Sequence, residues 1–93
     1  MPILGRALLD AFVKEHADAR AWVENWTAET ENIRWRTPQD IKNMYASVSF
    51  LSENIVIFNV KGNRYRMETL VACRVGIVIV RWIGTHAEYD RRN

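Results

Sequence analysis

Residues 54–83 constrain this chain more than any other stretch. Three strand-like runs, the first rich in Ile, Val and Phe and the third nearly all apolar, are separated by two short breaks, Lys61-Gly62-Asn63-Arg64 and Arg74-Val75-Gly76. Runs of β-branched and aromatic residues bounded by Gly and Asn predict strands joined by tight turns. The strands fall at Asn54–Val60, Arg64–Cys73 and Ile77–Ile83, and Gly84 ends the third. Ile77–Ile83 is almost wholly apolar, which predicts an inner strand buried on both faces.

The first turn also sets a register. Gly62 and Asn63 both tolerate the positive φ that a two-residue hairpin loop requires. With that loop, Lys61 lies opposite Arg64, Asn59 opposite Arg66 and Ile57 opposite Glu68. Opposed residues share a face, as do residues two apart on one strand. Asn59, Lys61, Arg64, Arg66 and Glu68 therefore point one way. Phe58, Val60, Tyr65 and Met67 point the other, toward a core. A second loop at Val75-Gly76 sets Leu70 opposite Arg81 and brings Arg81 onto the basic face, a step that a one-residue slip would reverse.

The preceding half reads as helical. Met1–Leu4 suits an edge strand, where Pro2 leaves no ladder bond unmade. Leu8, Leu9, Phe12 and Val13 form one apolar stripe over Gly5–Glu15. A second helix is expected from Asp18, as N-cap, to Ile33, with Trp22 and Trp26 on one buried face. Thr37-Pro38-Gln39-Asp40 is a strong start for a short third helix ending near Tyr45, since Thr37 caps and Pro38 suits the first position. Residues 46–53 read as a loop, with Val48, Phe50 and Leu51 turned inward. Helices followed by a meander predict an α+β fold, with N-terminal helices packed on a small antiparallel sheet. The 93 residues suit one domain.

Charge is distributed unevenly along this frame. Residues 1–53 carry six Lys/Arg against eight Asp/Glu, whereas residues 54–93 carry seven against three. Like charges gathered on one sheet face destabilise it unless a ligand neutralises them. A phosphate backbone fits, because guanidinium forks match phosphate oxygens. The competing reading is a solvated face whose arginines pair with Glu68, Glu88 and Asp90.

Gly84-Thr85-His86-Ala87-Glu88-Tyr89-Asp90 follows the third strand. A histidine titrates near neutrality, and a tyrosine can exchange a proton when cations lower its pKa. Beside Arg66, Lys61 and Arg64, His86 and Tyr89 supply the parts for acid–base cleavage of RNA. His16, His86 and Cys73 lack zinc-ligand spacing, and no Gly-rich phosphate loop is present, so no metal or cofactor site is expected. Cys73 is the only cysteine, which precludes an internal disulfide and suits a reducing compartment. The start of the chain lacks the pattern of a signal peptide, and no apolar run is long enough for a membrane span. A cytoplasmic protein without membrane contact is expected.

The two motifs together, Phe58-Asn59-Val60-Lys61-Gly62-Asn63-Arg64-Tyr65-Arg66 and Gly84-Thr85-His86-Ala87-Glu88-Tyr89-Asp90, resemble the HigB toxins of type II toxin–antitoxin systems. The resemblance extends more weakly through residues 16–53. It implies a RelE-like fold and a ribosome-dependent mRNA endonuclease that needs no metal. Tyr65-Arg66 is similar to a tyrosine–arginine pair whose arginine contacts the scissile phosphate, and Lys61 stands for basic residues on the preceding strand. His86 occupies a segment where relatives place an arginine as general acid. Tyr89 lies near a C-terminal tyrosine proposed as base, at a different offset. The resemblance thus implies His86, Tyr89, Arg66 and Asp90 as catalytic residues, and Lys61, Arg64, Asn59 and Arg81 as contacts to RNA. It also implies a HigA-type helix-turn-helix antitoxin, through which the protein would reach operator DNA. Two other readings share this architecture: an inhibitor of a gyrase-type target, which needs no nuclease site, and a non-catalytic RNA-binding protein.

Overall fold

The computed structural model describes residues 1–52 and 54–92. The elements run β1 (Ile3–Leu4), α1 (Arg6–Glu15), a 3-10 turn (Ala17–Ala19), α2 (Arg20–Glu31), α3 (Pro38–Met44), β2 (Ser49–Phe50), β3 (Ile55–Val60), β4 (Tyr65–Ala72), β5 (Ile77–Thr85) and α4 (His86–Arg92). The fold is α+β. The five strands form one sheet in the order β1-β5-β4-β3-β2. Among the described residues no helix is long and apolar enough to cross a membrane.

Two features differ from the sequence expectation. The sheet is mixed, because β1 pairs with β5 in parallel while every other pair is antiparallel. A fourth helix follows the last strand, so the helices are not confined to the N-terminal side of the sequence.

The core forms between the helices and one sheet face. Strand alternation turns Phe58, Val60, Met67, Val78 and Val80 inward, each no more than 2% exposed. Phe58 is the hub: the rings of Trp26, Trp35 and Tyr45 surround it at centroid distances of 5.5, 6.2 and 5.3 Å. Trp26 is buried and Trp22 packs partly against the same cluster, as their four-residue spacing predicts.

The helix starts show where local chemistry decided the outcome. Thr37 and Asp40 form a capping box, with the Asp40 N–H donating to Thr37 Oγ1 and the Thr37 N–H donating to Asp40 Oδ2. Asp18 does not cap α2, which begins after Ala19 and ends at Glu31 rather than Ile33. Its carboxylate instead accepts from the Tyr65 hydroxyl at 2.7 Å and from Arg64 at 2.5 Å. The expected loop after α3 contains β2, and its apolar residues divide: Val48 is buried, whereas Phe50 and Leu51 are 42% and 50% exposed. Glu53, the last residue of that loop, lies outside the described residues.

The β3–β4 ladder has the predicted register, with Asn59 opposite Arg66 and Ile57 opposite Glu68. The left-handed residues of the turn are Lys61 (φ 54°) and Gly62 (φ 68°), one position earlier than expected. Lys61 and Arg64 therefore lie in the turn, outside the ladder. The β4–β5 register departs further. Leu70 opposes Ile79, not Arg81, and a bulge between Glu68 and Thr69 leaves Arg81 as the extra residue on β5.

Candidate active site on the open sheet face

Below the bulge, β4 and β5 present Arg66 opposite Gly84 and Glu68 opposite Trp82. These residues alternate with the inward-facing Tyr65 and Met67, so they occupy the sheet face away from α1–α3. Asn59 completes the row from β3, and its amide donates to the Ser47 carbonyl at 3.3 Å.

Helix α4 folds back over this row. Its start is built by a second capping box: the Glu88 N–H donates to Thr85 Oγ1 at 3.1 Å, and the Thr85 N–H donates to Glu88 Oε1 at 2.8 Å. The Thr85 N–H, reinforced by the Thr85 hydroxyl, holds the Glu88 carboxyl below its ordinary pKa. The His86 N–H donates to the Arg64 carbonyl at 3.3 Å, which ties the first turn of α4 to the β3–β4 turn.

Four contacts among the described residues then seat the helix. The Arg66 guanidinium lies 5.0 Å from the centroid of the Tyr89 ring. Tyr89 also meets Trp82, with ring centroids 6.0 Å apart. Arg92 stacks over Trp82 at 4.5 Å and pairs with Glu68 at 3.0 Å. Gly84 is required beneath this stack: a Cβ there would lie 2.5 Å from the Trp82 ring and 2.9 Å from Glu88 Oε1.

His86, Tyr89 and Asp90 occupy one turn of α4, three and four residues apart, and so line one flank. His86 Nδ1 lies 3.6 Å from Asp90 Oδ2. That separation exceeds a hydrogen bond, so Asp90 acts on His86 through charge when the imidazole is protonated. Arg66 Nε is buried and finds no acceptor among the described residues, although its guanidinium carries a full charge. A buried donor without an acceptor costs about 1–3 kcal/mol. The arrangement therefore holds a poorly satisfied cation against an aromatic ring, with a histidine–carboxylate pair one helical turn away.

Of the residues expected at the site, Arg66, Asn59, His86, Tyr89 and Asp90 lie on or beside this face. Lys61 stands in the turn at its end and makes no ion pair among the described residues. Two expected residues are elsewhere. Arg64 turns to the helix side and pairs with Asp18, because Tyr65 delivers its hydroxyl to the same carboxylate. Arg81 leaves the row because the bulge takes it out of register; it lines a groove against α1 instead. Tyr65 likewise faces the core side, where Asp18 raises its pKa and Tyr65 in turn lowers that of Asp18.

Three contributors were not singled out from the sequence. The Thr85-His86-Ala87-Glu88 spacing is a capping-box signature and announces a helix start at His86. Trp82 and Arg92 carried no signal of their own, since their placement depends on the bulge and on the return of α4. Among the described residues no group of three or more His, Cys, Asp or Glu side chains converges as a metal site. A family model described as HigB toxin, RelE-like toxic component of a toxin–antitoxin system, matches residues 19–92. No curated protein matches the chain.

Proposed function

The chain belongs to the HigB toxin family, the RelE-like toxic components of toxin–antitoxin systems, and on that premise we propose that it is an endoribonuclease that cuts mRNA on the ribosome by metal-independent acid–base chemistry. Family membership makes it a toxin with an antitoxin partner; the cleavage chemistry is the inference. The observation that carries it is the Arg66–Tyr89 contact, which sets an under-satisfied guanidinium beside the His86–Asp90 turn.

In this reading residues 1–93 act as one domain in the cytoplasm. Arg66 binds the scissile phosphate and offsets charge as it builds on the non-bridging oxygens. Lys61 and Asn59 guide the flanking backbone. The ribose 2′-oxygen attacks phosphorus and loses its proton to one of His86 and Tyr89. The P–O5′ bond breaks, and the other residue protonates the departing 5′-oxygen. Asp90, whose Oδ2 lies 3.6 Å from His86 Nδ1, orients the imidazole. The partner is a HigA-type helix-turn-helix antitoxin, through which the complex reaches operator DNA.

Growth on induction tests the assignment. His86→Ala and Arg66→Ala are each expected to abolish growth arrest while keeping the wild-type circular dichroism spectrum. Arrest by both folded variants at the wild-type level would remove this site from the mechanism. A gyrase-type inhibitor predicts early DNA damage rather than loss of translation, and a non-catalytic RNA binder predicts intact RNA.

A further inference from the structure

The β3–β4 turn is joined to the helical layer through one residue. Arg64 closes the turn with its N–H, which donates to the Lys61 carbonyl at 3.3 Å. Its guanidinium pairs with Asp18 Oδ2 at 2.5 Å, and its carbonyl accepts from the His86 N–H at 3.3 Å. The N–H, carbonyl and guanidinium of Arg64 thus all bond within the protein. His86 is the first residue of α4, and the first N–H groups of a helix have no acceptor inside it. Thr85 Oγ1 serves the Glu88 N–H, and the Arg64 carbonyl serves that of His86. The residue assigned to proton transfer is therefore held at its backbone by the turn rather than by its own helix.

Asp18 fixes that turn to the core. An ion pair as exposed as this one, 63% at the Arg64 side chain and 33% at Asp18, contributes little when both partners move freely. Asp18 is not free, because its Oδ1 accepts from the Tyr65 hydroxyl at 2.7 Å. Tyr65 is buried, with the Phe12 ring edge-on at 5.1 Å and the His16 ring at 5.2 Å. One carboxylate oxygen is thus anchored in the core while the other holds the exposed guanidinium. Asp18 itself sits in the 3-10 turn between α1 and α2, where the Ala19 N–H donates to the His16 carbonyl at 3.0 Å. A chain of bonds runs from that turn through Asp18 and Arg64 to the backbone of His86.

We infer that Asp18 is a positioning residue of the candidate active site: its carboxylate anchors Arg64 to Tyr65, and so holds the Arg64 carbonyl where it receives the His86 N–H and sets the first turn of α4. Asp18 meets no reacting atom and acts through Arg64. The catalytic consequence rests on the nuclease reading above, whereas the clamp itself rests on the hydrogen bonds alone. A small displacement of a proton-transfer group is costly, since it must meet its proton within hydrogen-bond reach. Arg64 accordingly serves the site through its backbone carbonyl while its guanidinium faces Asp18.

Amide hydrogen exchange at His86, read by NMR on the full chain, tests the clamp together with the kinetics of mRNA cleavage on programmed ribosomes. Asp18→Asn offers one side-chain oxygen in place of two, so it cannot accept from Tyr65 and Arg64 through separate oxygens. Exchange at His86 is expected to rise about tenfold, and kcat to fall about tenfold with KM within about twofold of wild type. Arg64→Lys keeps the ion pair and should leave exchange at His86 within about threefold of wild type. Tyr65→Phe keeps the pair but loses its anchor, and should raise exchange by about threefold or more. A purely structural role would lower the unfolding midpoint and leave kcat of the folded variant unchanged. Should Asp18→Asn not fold, Arg64→Gln removes the same pair from its exposed side and carries both readouts. Wild-type exchange at His86 in Asp18→Asn would overturn the inference, as would raised exchange with kcat within about twofold of wild type. If the wild type cuts no mRNA, the nuclease reading fails, and exchange at His86 alone decides whether the clamp operates.

Discussion

Replacing Arg66 with methionine should separate folding from cleavage. Among the described residues the Arg66 guanidinium contacts the Tyr89 ring at 5.0 Å and buries an Nε with no acceptor. A cation–π contact at a partly exposed site is worth about 0.5–1 kcal/mol. Relief of the unsatisfied donor returns about 1–3 kcal/mol. Methionine keeps an unbranched apolar stem against the sheet, so packing is largely conserved. The net expectation for Arg66→Met lies between no change and a gain of roughly 2 kcal/mol. For a chain of this size 1 kcal/mol moves Tm by about 4–8 °C, well within measurement. Cleavage should respond in the opposite direction. Removing one preorganised electrostatic stabiliser costs about 10²–10³ in rate. Urea unfolding and primer-extension assays of mRNA on programmed ribosomes read the two effects separately. Destabilisation by more than about 1 kcal/mol would refute the assignment of Arg66 as an under-satisfied cation. Cleavage within about threefold of wild type would refute its role at the phosphate.

Three further outcomes follow from the same geometry. Gly84→Ala places a methyl 2.5 Å from the Trp82 ring, so it should cost about 1–3 kcal/mol in urea unfolding and reduce toxicity through displacement of α4. Thr85→Ala removes the cap of α4 and should cost about 1 kcal/mol, whereas Thr85→Ser should restore most of it. Asp18 and Tyr65 predict pH dependence of opposite sign. The lowered pKa of Asp18 contributes stability above its ordinary value of 3.8, lost as pH falls below it; the raised pKa of Tyr65 contributes stability below 10.0, lost as pH rises past it. Asp18→Asn should therefore flatten the acid limb of a stability–pH curve, and Tyr65→Phe the alkaline limb. Unchanged limbs would show that the Asp18–Tyr65 hydrogen bond does not persist in solution.

The sequence disclosed what depends on local chemistry. The Thr37-Pro38-Gln39-Asp40 start is a helix start wherever it occurs. The β3–β4 register follows from alternation and a turn that only a few residue types permit, and it placed Asn59, Arg66 and Glu68 together. Its features failed where tertiary contacts compete with local preference. Asp18 is a good N-cap, yet Tyr65 and Arg64 take its carboxylate. Arg81 is assigned to the wrong surface by an uninterrupted ladder, because a bulge changes the alignment beyond Glu68 and leaves no mark in composition. Phe50, in the two-residue strand β2, and Leu51 just after it look like core residues but stand exposed. The site is legible to the same degree. Arg66, His86, Tyr89 and Asp90 were visible as residue types suited to acid–base chemistry on phosphate. The return of α4 over the sheet, which sets Tyr89 on Arg66, depends on Trp82, Gly84 and the Arg92–Glu68 pair acting together. The Thr85-to-Glu88 capping box was legible and gives the start of that helix, but not its direction.

Proton transfer in the proposed RNA cleavage is assigned to the turn of α4 carrying His86. Mapping mRNA 5′ ends across the transcriptome after induction tests it most directly, in wild type and in His86→Ala. The wild-type chain should generate new 5′ ends within translated reading frames, and His86→Ala should generate none while still binding the antitoxin. Identical ends in both strains, or growth arrest by the wild type with no new ends, would contradict the account.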